Sequence, residues 1–252
     1  MTTDAAAAVA AREPELPGQI VVAIGGSAGI GLETARRARA EGAEVILTGR
    51  NPERLERAAA EVGARGTAAF DATDPAALDR FFDGLPAQID HVMVTGPGPY
   101  YALLADLDRD QARRDFDDHQ WLAMAIAQHA VGRVRPGGTL IFMGGTGGRS
   151  RGPGLSMIAA ATAAMPALIA NLAVEVAPIR VNLIAAGFVD TPLSATLLGD
   201  DLDARREQLR AMLPIRRVVG PDDVAKLAVH LMTNTALTGG TYDIDGGQQL
   251  VS

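Results

Sequence analysis

The sequence predicts an α/β protein: a doubly wound, mainly parallel sheet with helices on both faces, in a single domain. Three observations lead there. From Gln19 onward, short β-branched runs alternate with longer helical stretches, the pattern of a sheet built by crossovers. Several of the runs (VVAI, VILT, VMVT) are apolar at every position, which suits strands covered on both faces. No linker rich in Pro, Gly or Ser divides the chain, and no segment repeats.

In chain order, QIVVAI (19–24) reads as a strand and GIGLETARRARAEG (29–42) as a helix closed by glycine. AEVILTG (43–49) is a strand, and PERLERAAAEVG (52–63) a helix again ending in glycine. GTAAFD (66–71) and IDHVMVTG (89–96) are strands on either side of the helix PAALDRFFDGL (75–85). A long helix covers 107–134, GTLIFMGG (138–145) is a strand, and 155–177 is a helix. IRVNLIAAG (179–187) is a strand, helical segments lie near 195–212 and 221–233, and TYDID (241–245) is the last strand. The domain is expected over 18–252. Residues 1–17 form an appendage, either a loose tail or a short docking helix.

Composition narrows the function. A net charge of -7 and a pI of about 5.1 argue against nucleic acid or an anionic membrane surface as partner. A local basic pocket for a phosphate remains open. Without cysteine there is no thiol chemistry, disulfide or thiolate metal site. The start, MTTDAAAAVAAREPELPGQ, lacks a basic stretch followed by a long apolar core, so it does not read as a secretory signal. No uninterrupted apolar run reaches the roughly 18–20 residues of a membrane span. A soluble cytoplasmic protein is the expectation. His91, His129 and His230 show no ligand spacing, and no metal site is predicted.

The strongest motif is QIVVAIGGSAGIGLETARRA. A strand runs into Gly25-x-x-x-Gly29-x-Gly31, with Ser27 and Ile30 between the glycines, and a helix begins there. A dinucleotide needs this arrangement: a sharp turn off the strand, close backbone approach to the pyrophosphate, and tight packing of the new helix. The free N–H groups at the helix start face the phosphates. A Rossmann-type cofactor site is therefore expected. The second strand ends in LTGRN. Where an NAD enzyme usually has a carboxylate stands Gly49, followed by Arg50 and Asn51. A guanidinium there suits a 2′-phosphate, so the expected cofactor is NADP(H).

On these motifs the chain resembles the short-chain dehydrogenase/reductase family over roughly residues 18–252. GGSAGIG is similar to the family's glycine motif, with Ile24 where threonine is usual. FDATD (70–74) resembles the loop whose Asp71 and Ala72 would contact adenine. IDHVMVTGPG resembles the strand that ends in Asn-Asn-Ala-Gly, with Thr95-Gly96-Pro97-Gly98 in its place. IRVNLIAAGFVDTPL matches the segment after the sixth strand, with Ala186 for proline. There the resemblance implies that backbone groups at Val189 and the hydroxyl of Thr191 hold the nicotinamide carboxamide, with Gly187 also among the cofactor-binding residues. LTGGTYDIDGG is close to the family's C-terminal signature.

The family's chemistry uses Tyr-x-x-x-Lys on one helix, a serine about 13 residues earlier and an asparagine on the preceding helix. By this resemblance Ile158 stands at the tyrosine place and Thr162 at the lysine place. Gly145 stands at the serine place, and His119 at or beside the asparagine place. No change of register restores the pair: Lys226 is the only lysine, and no tyrosine lies between Tyr101 and Tyr242. Replacement acids would be Tyr100, with Tyr101 beside it after the TGPG loop, or His119, which titrates near neutrality. Arg149 and Arg151 are candidates for an anionic substrate. Pro166 falls inside the 155–177 helix and should kink or bulge it.

Two functions stay open. One is an NADP(H)-dependent oxidoreductase with an altered or missing proton relay, acting on an activated acceptor such as an imine, iminium or enone. The other is a non-catalytic NADP(H)-binding protein, a sensor or partner subunit. Residues 193–213 should be the lid over the substrate. The resemblance also implies a homotetramer, or at least a dimer, through the helices at 107–134 and 155–177.

Overall fold

The computed structural model describes residues 15–96 and 98–251. Most of the N-terminal appendage (residues 1–14), together with Pro97 and Ser252, lies outside the described residues. Seven strands form one parallel sheet in the order β3-β2-β1-β4-β5-β6-β7. They are β1 (Ile20–Ile24), β2 (Glu44–Gly49), β3 (Gly66–Ala69), β4 (Ile89–Val94), β5 (Val134–Gly145), β6 (Arg180–Ala186) and β7 (Thr241–Ile244). The order reverses direction at β1, between β2 and β4. Ligands of doubly wound sheets bind at such a point, outside the carboxyl ends of the strands.

The all-apolar strands are buried on both faces because neighbouring residues feed two separate cores. Val22, Ile24, Val92, Leu140 and Phe142 point to one side. There they pack with α3 (Pro75–Asp83), α4 (Arg109–Ala130) and α5 (Ser156–Glu175). Val21, Ala23, Val45, Leu47, Met93 and Ile141 point to the other. They meet α1 (Gly29–Ala40), α2 (Pro52–Val62) and α8 (Pro221–Thr233). The second core reaches back to Leu16, which is fully buried and whose N–H donates to the Glu41 carbonyl at 2.8 Å. Packing on this side thus includes Leu16 of the expected appendage.

Helix starts follow from local chemistry. Asn51, Asp74, Asp108 and Thr191 each accept a backbone N–H from the first turn that follows. Three of these four are followed by proline, whose fixed φ suits the first helical position. Buried Arg180 serves the far end of α8: its guanidinium donates to the carbonyls of Gly137, Leu231, Met232, Asn234 and Leu237. A cation is well placed against the negative end of a helix.

Three expectations need correction. The segment expected as one helix over 195–212 is two, α6 (Pro192–Leu198) and α7 (Leu202–Met212). Gly199, at φ +52°, turns the chain between them. β5 begins at Val134 rather than 138, with an irregularity in its pairing to β4. Finally, α5 is long and apolar enough to cross a membrane by length and composition, with a mean hydropathy of 1.8. Its buried face of Ile158, Ala161, Met165, Ile169 and Leu172 makes it a core helix of this domain.

Candidate functional site

The site is built first from the turn between β1 and α1. Gly25 and Gly29 lie at φ +81° and +54°, a region that side chains with a Cβ avoid. A Cβ at Gly25 would overlap the Thr95 hydroxyl. One at Gly31 would overlap the Gly25 carbonyl and come within 2.9 Å of its carbon. Tight packing of helix on turn therefore leaves no room beyond hydrogen. Ala28, the residue before the helix, offers no side-chain cap, and the first turn carries no acid. The leading N–H groups of α1 are left for an anion, which a pyrophosphate would satisfy. A cradle that any Cβ would fill, under an uncapped helix start, fits a dinucleotide.

The other candidate cofactor residues surround this turn. Ser27 is buried and Ile30 half-buried. Thr95 closes the β4 end of the cradle, its hydroxyl reaching the carbonyls of Ile24 (3.0 Å) and Gly25 (3.2 Å). Gly96 is exposed and has open space around it. A Cβ on Gly29 would lie 3.5 Å from Thr191, so the glycine turn and the segment after β6 meet. That segment is held stiffly. The Ser194 hydroxyl donates to the Val189 carbonyl at 2.5 Å, and Arg206 of α7 grips Asp190 through two bonds of 2.9 and 2.7 Å. Gly187 serves packing: a Cβ there would come within 2.6 Å of Asp245.

At the end of β2, Gly49 has a steric reason that the sequence does not show. Its Cβ would lie 2.7 Å from the Ser27 hydroxyl. Arg50 is exposed and makes no ion pair among the described residues, so its guanidinium is available to a ligand. The Asn51 side chain is engaged as the cap of α2, accepting from Arg54 N–H at 2.8 Å. Asp71 accepts from both the backbone N–H and the hydroxyl of Thr73, which shapes the loop that carries Ala72.

The β5–α5 corner is different. Gly145, Gly147, Ile158 and Thr162 come together: a Cβ on Gly145 would lie 3.5 Å from Thr162, and one on Gly147 would lie 3.9 Å from Ile158. Ile158 and Thr162 are buried. The Thr162 hydroxyl turns back to the Ile158 carbonyl at 2.6 Å. Glu175, at the far end, is the only ionisable side chain on α5.

Candidate acids lie on α4 and the loop before it. The Tyr100 hydroxyl accepts the Asp108 N–H at 3.2 Å and so steadies the start of α4. Tyr101 is half exposed. Burial of its hydroxyl, and then the charge of Asp115, hold this phenol above its ordinary range. His119 is mostly buried, with Nδ1 2.7 Å from the Asp115 carbonyl. Its neighbour Gln120 crosses to α5, donating to the Ala161 carbonyl at 2.9 Å. Arg149 is not free for a substrate: it pairs bidentately with Asp243 at 2.5 and 2.6 Å and also donates to Gln249. That ion pair holds the Asp243 carboxyl below the usual range. Arg151 donates to the carbonyls of Gly148 and Ser150. Lys226 pairs with Asp222 on α8, on a helix that packs against α1. Among the described residues no group of His, Cys, Asp and Glu is arranged to hold a metal. Asp115, Gln120 and Ser194 were missed in the sequence; only the Asp115–His119 spacing of four gave a signal.

Comparisons with known proteins bear on this site. Residues 25–249 match the family model described as Enoyl-(Acyl carrier protein) reductase. The chain is 30% identical over 249 residues to 4-formylbenzenesulfonate dehydrogenase of Comamonas testosteroni, covering 92% of this chain and 98% of that one. A solved short chain dehydrogenase/reductase family protein superposes with a TM-score of 0.80 at 31% identity, covering 94% of this chain and 100% of that one. A small-chain dehydrogenase solved in complex with NADPH gives a TM-score of 0.79 at 28% identity, covering 92% and 99%.

Proposed function

The chain belongs to the short-chain dehydrogenase/reductase family, and from that premise we propose that it binds NADP(H) and is an oxidoreductase whose proton relay has been rebuilt away from the β5–α5 corner. The observation that carries this reading is the contrast inside one site. The glycine cradle is complete, while the β5–α5 corner presents Gly145, Ile158 and Thr162, and α5 carries no ionisable side chain before Glu175. When bound, the cofactor supplies a hydride to an electrophilic carbon. Gly25, Gly29, Gly31 and the start of α1 would hold the pyrophosphate, Arg50 the 2′-phosphate, and Thr95, Val189 and Thr191 the nicotinamide end.

The preference for NADP(H) rests on Arg50, an unpaired guanidinium at the end of β2, and is in keeping with the NADPH-bound relative. Without a phenol and lysine on α5, a simple ketone loses its usual proton donor. General acid help is typically worth about 10²–10⁴-fold. An imine, iminium or enone is already activated and tolerates that loss. His119 and Tyr100 are the remaining donors; the Tyr100 oxygen accepts the Asp108 N–H and keeps its own proton to give. We read the protein as soluble and cytoplasmic, assembled as a tetramer or dimer through α4 and α5. Trp121 and Val174, 63% and 77% exposed on those helices, are large apolar side chains that a second copy would cover.

The test is NADPH consumption against matched panels of ketones, imines and enones, after binding has been measured by nicotinamide fluorescence. We expect good NADPH binding, very weak turnover of simple ketones, and faster turnover of the activated acceptors. Rapid ketone reduction that survives loss of both His119 and Tyr100 would sink the reading. Tight NADPH binding with no consumption by any acceptor would favour the second reading, a non-catalytic NADP(H)-binding sensor or partner subunit. The buried state of Ile158 and Thr162 favours that reading over an ordinary reductase.

A further inference from the structure

Asp115 lies on the buried side of α4, one turn before His119, with only 5% of its surface exposed. Its Oδ2 is buried and makes no hydrogen bond. A carboxylate sealed from water without a partner is costly, and a nearby cation is the usual remedy. No arginine or lysine pairs with it among the described residues; the ring of His119 stands with Nδ1 3.8 Å from Oδ2. The backbone N–H of Tyr100 also acts on the carboxyl.

The same imidazole is fixed by a second contact. Nδ1 lies 2.7 Å from the Asp115 backbone carbonyl, which can only accept. Nδ1 therefore carries a hydrogen, and Nε2 is the nitrogen that gains or gives a proton. We infer that Asp115 is a positioning residue: its carbonyl sets the His119 tautomer, and its buried carboxylate stabilises the ring when Nε2 is also protonated. The inference rests on the proposed reading, in which His119 is a proton donor. When bound, the cofactor would supply the hydride to the acceptor carbon, and His119 would give its Nε2 proton to the nitrogen of a neutral imine or the oxygen of an enone; an iminium would need no proton. His119 is left neutral with its hydrogen on Nδ1, and solvent returns a proton to Nε2.

Burial holds the Asp115 carboxyl above its ordinary range and the charge of Asp118 adds to this, while the His119 charge and the Tyr100 N–H oppose it. Other charged or titratable groups nearby are Asp117, Asp118 and Arg114 on α4, Asp71 on the loop after β3, and Tyr101 on the loop after β4. α5, packed against α4, brings none to this end. Asp118 is itself pushed up by burial and by Asp71.

Asp115→Asn keeps the backbone carbonyl and removes the charge, so it isolates the carboxylate. With NADPH-loaded protein, the His119 ring titration is followed by two-dimensional NMR, with His119→Gln identifying its signals. The rate–pH profile on an activated acceptor is measured in parallel. Losing a neighbouring opposite charge should move the ring's midpoint to lower pH. The alkaline limb of the profile should move with it, and Asp115→Glu should restore part of both. Conversely, in His119→Gln the Asp115 carboxyl, read by its own carbon signal, should titrate at higher pH; this arm does not need Asp115→Asn to fold. A ring titration identical in wild type and Asp115→Asn, or a carboxyl titration unchanged by His119→Gln, overturns the inference. Shifted titrations in a wild type that turns over no acceptor would uphold the pairing and overturn the oxidoreductase reading instead.

Discussion

Gly25 and Gly31 of the β1–α1 turn and Gly145 and Gly147 of the β5–α5 corner are glycines for different reasons. In the turn, a Cβ at Gly25 or Gly31 would run into neighbouring atoms, and at Gly31 these are all backbone. In the corner, a Cβ at Gly145 or Gly147 would find its nearest neighbours at 3.5 and 3.7 Å, ordinary contact distances. Glycine in the turn is demanded by close approach of chain to chain. At Gly145 and Gly147 no such demand exists, so side chains are missing there without steric cause. A cofactor grip made from backbone survives any change of side chains around it, whereas proton transfer depends on a few functional groups. One site can therefore keep the first and rebuild the second.

Gly31→Ala should show the largest effect. The added methyl meets the Gly25 carbonyl, and Gly26 Cα lies 3.1 Å away. Neither backbone atom can rotate aside, so α1 must lift from the turn. Overpacking of this kind costs about 1–3 kcal/mol. Displaced helix N–H groups should also weaken NADPH binding by about 100-fold or more, since each misplaced charge-assisted bond is worth roughly 1.5–3 kcal/mol. Thermal melts and fluorescence titration measure both, with Gly66→Ala as control because nothing lies within 4 Å of a Cβ there. If Gly31→Ala behaves like the control, the turn is not the tight cradle described.

The same contrast explains what could be read from the sequence. Patterns that repeat along the chain were legible: strand and helix limits agree within a few residues, and α8 was expected at 221–233, where it is found. The glycine motif was legible because its spacing is set by local geometry. Contacts between distant residues were not. Arg149 looked like a free anion binder, but its partner, Asp243, is 94 residues away. Gly49 looked like a position that had lost an acid. It is also pressed against Ser27 from the preceding turn, so an aspartate placed there would have to displace that hydroxyl. Asp115 drew no notice because a lone acid on a charged helix start usually faces water; only the fold shows it buried.

Arg50 sharpens the comparison from the side-chain direction, with a smaller effect. It is exposed and unpaired, so Arg50→Ala should leave folding unchanged. NADPH should weaken by about 10- to 150-fold, the worth of a charge-assisted pair, while NADH should bind as before. Equal affinity of the wild type for both cofactors would remove Arg50 from the site and leave the glycine cradle as the only specificity-free anchor.

Gly145→Ser should have the smallest effect, and for that reason it tests the corner most directly. Gly145 has φ −135° and ψ 159°, extended backbone open to any residue. A serine Cβ would meet Thr162 at 3.5 Å and the Ala186 carbonyl at 3.7 Å, and its hydroxyl would have that carbonyl as a partner. Stability should stay within about 0.5 kcal/mol of wild type, as for most substitutions that create no clash, and NADPH affinity should not change. Ketone turnover should not rise either, because a serine only positions a carbonyl, and Ile158 and Thr162 still supply no proton. A loss of more than about 2 kcal/mol would show that glycine is required at 145 for packing, and the two glycine-rich regions would then be alike after all. A rise in ketone reduction from this single change would show that a proton donor already faces the corner and that only the substrate was badly held.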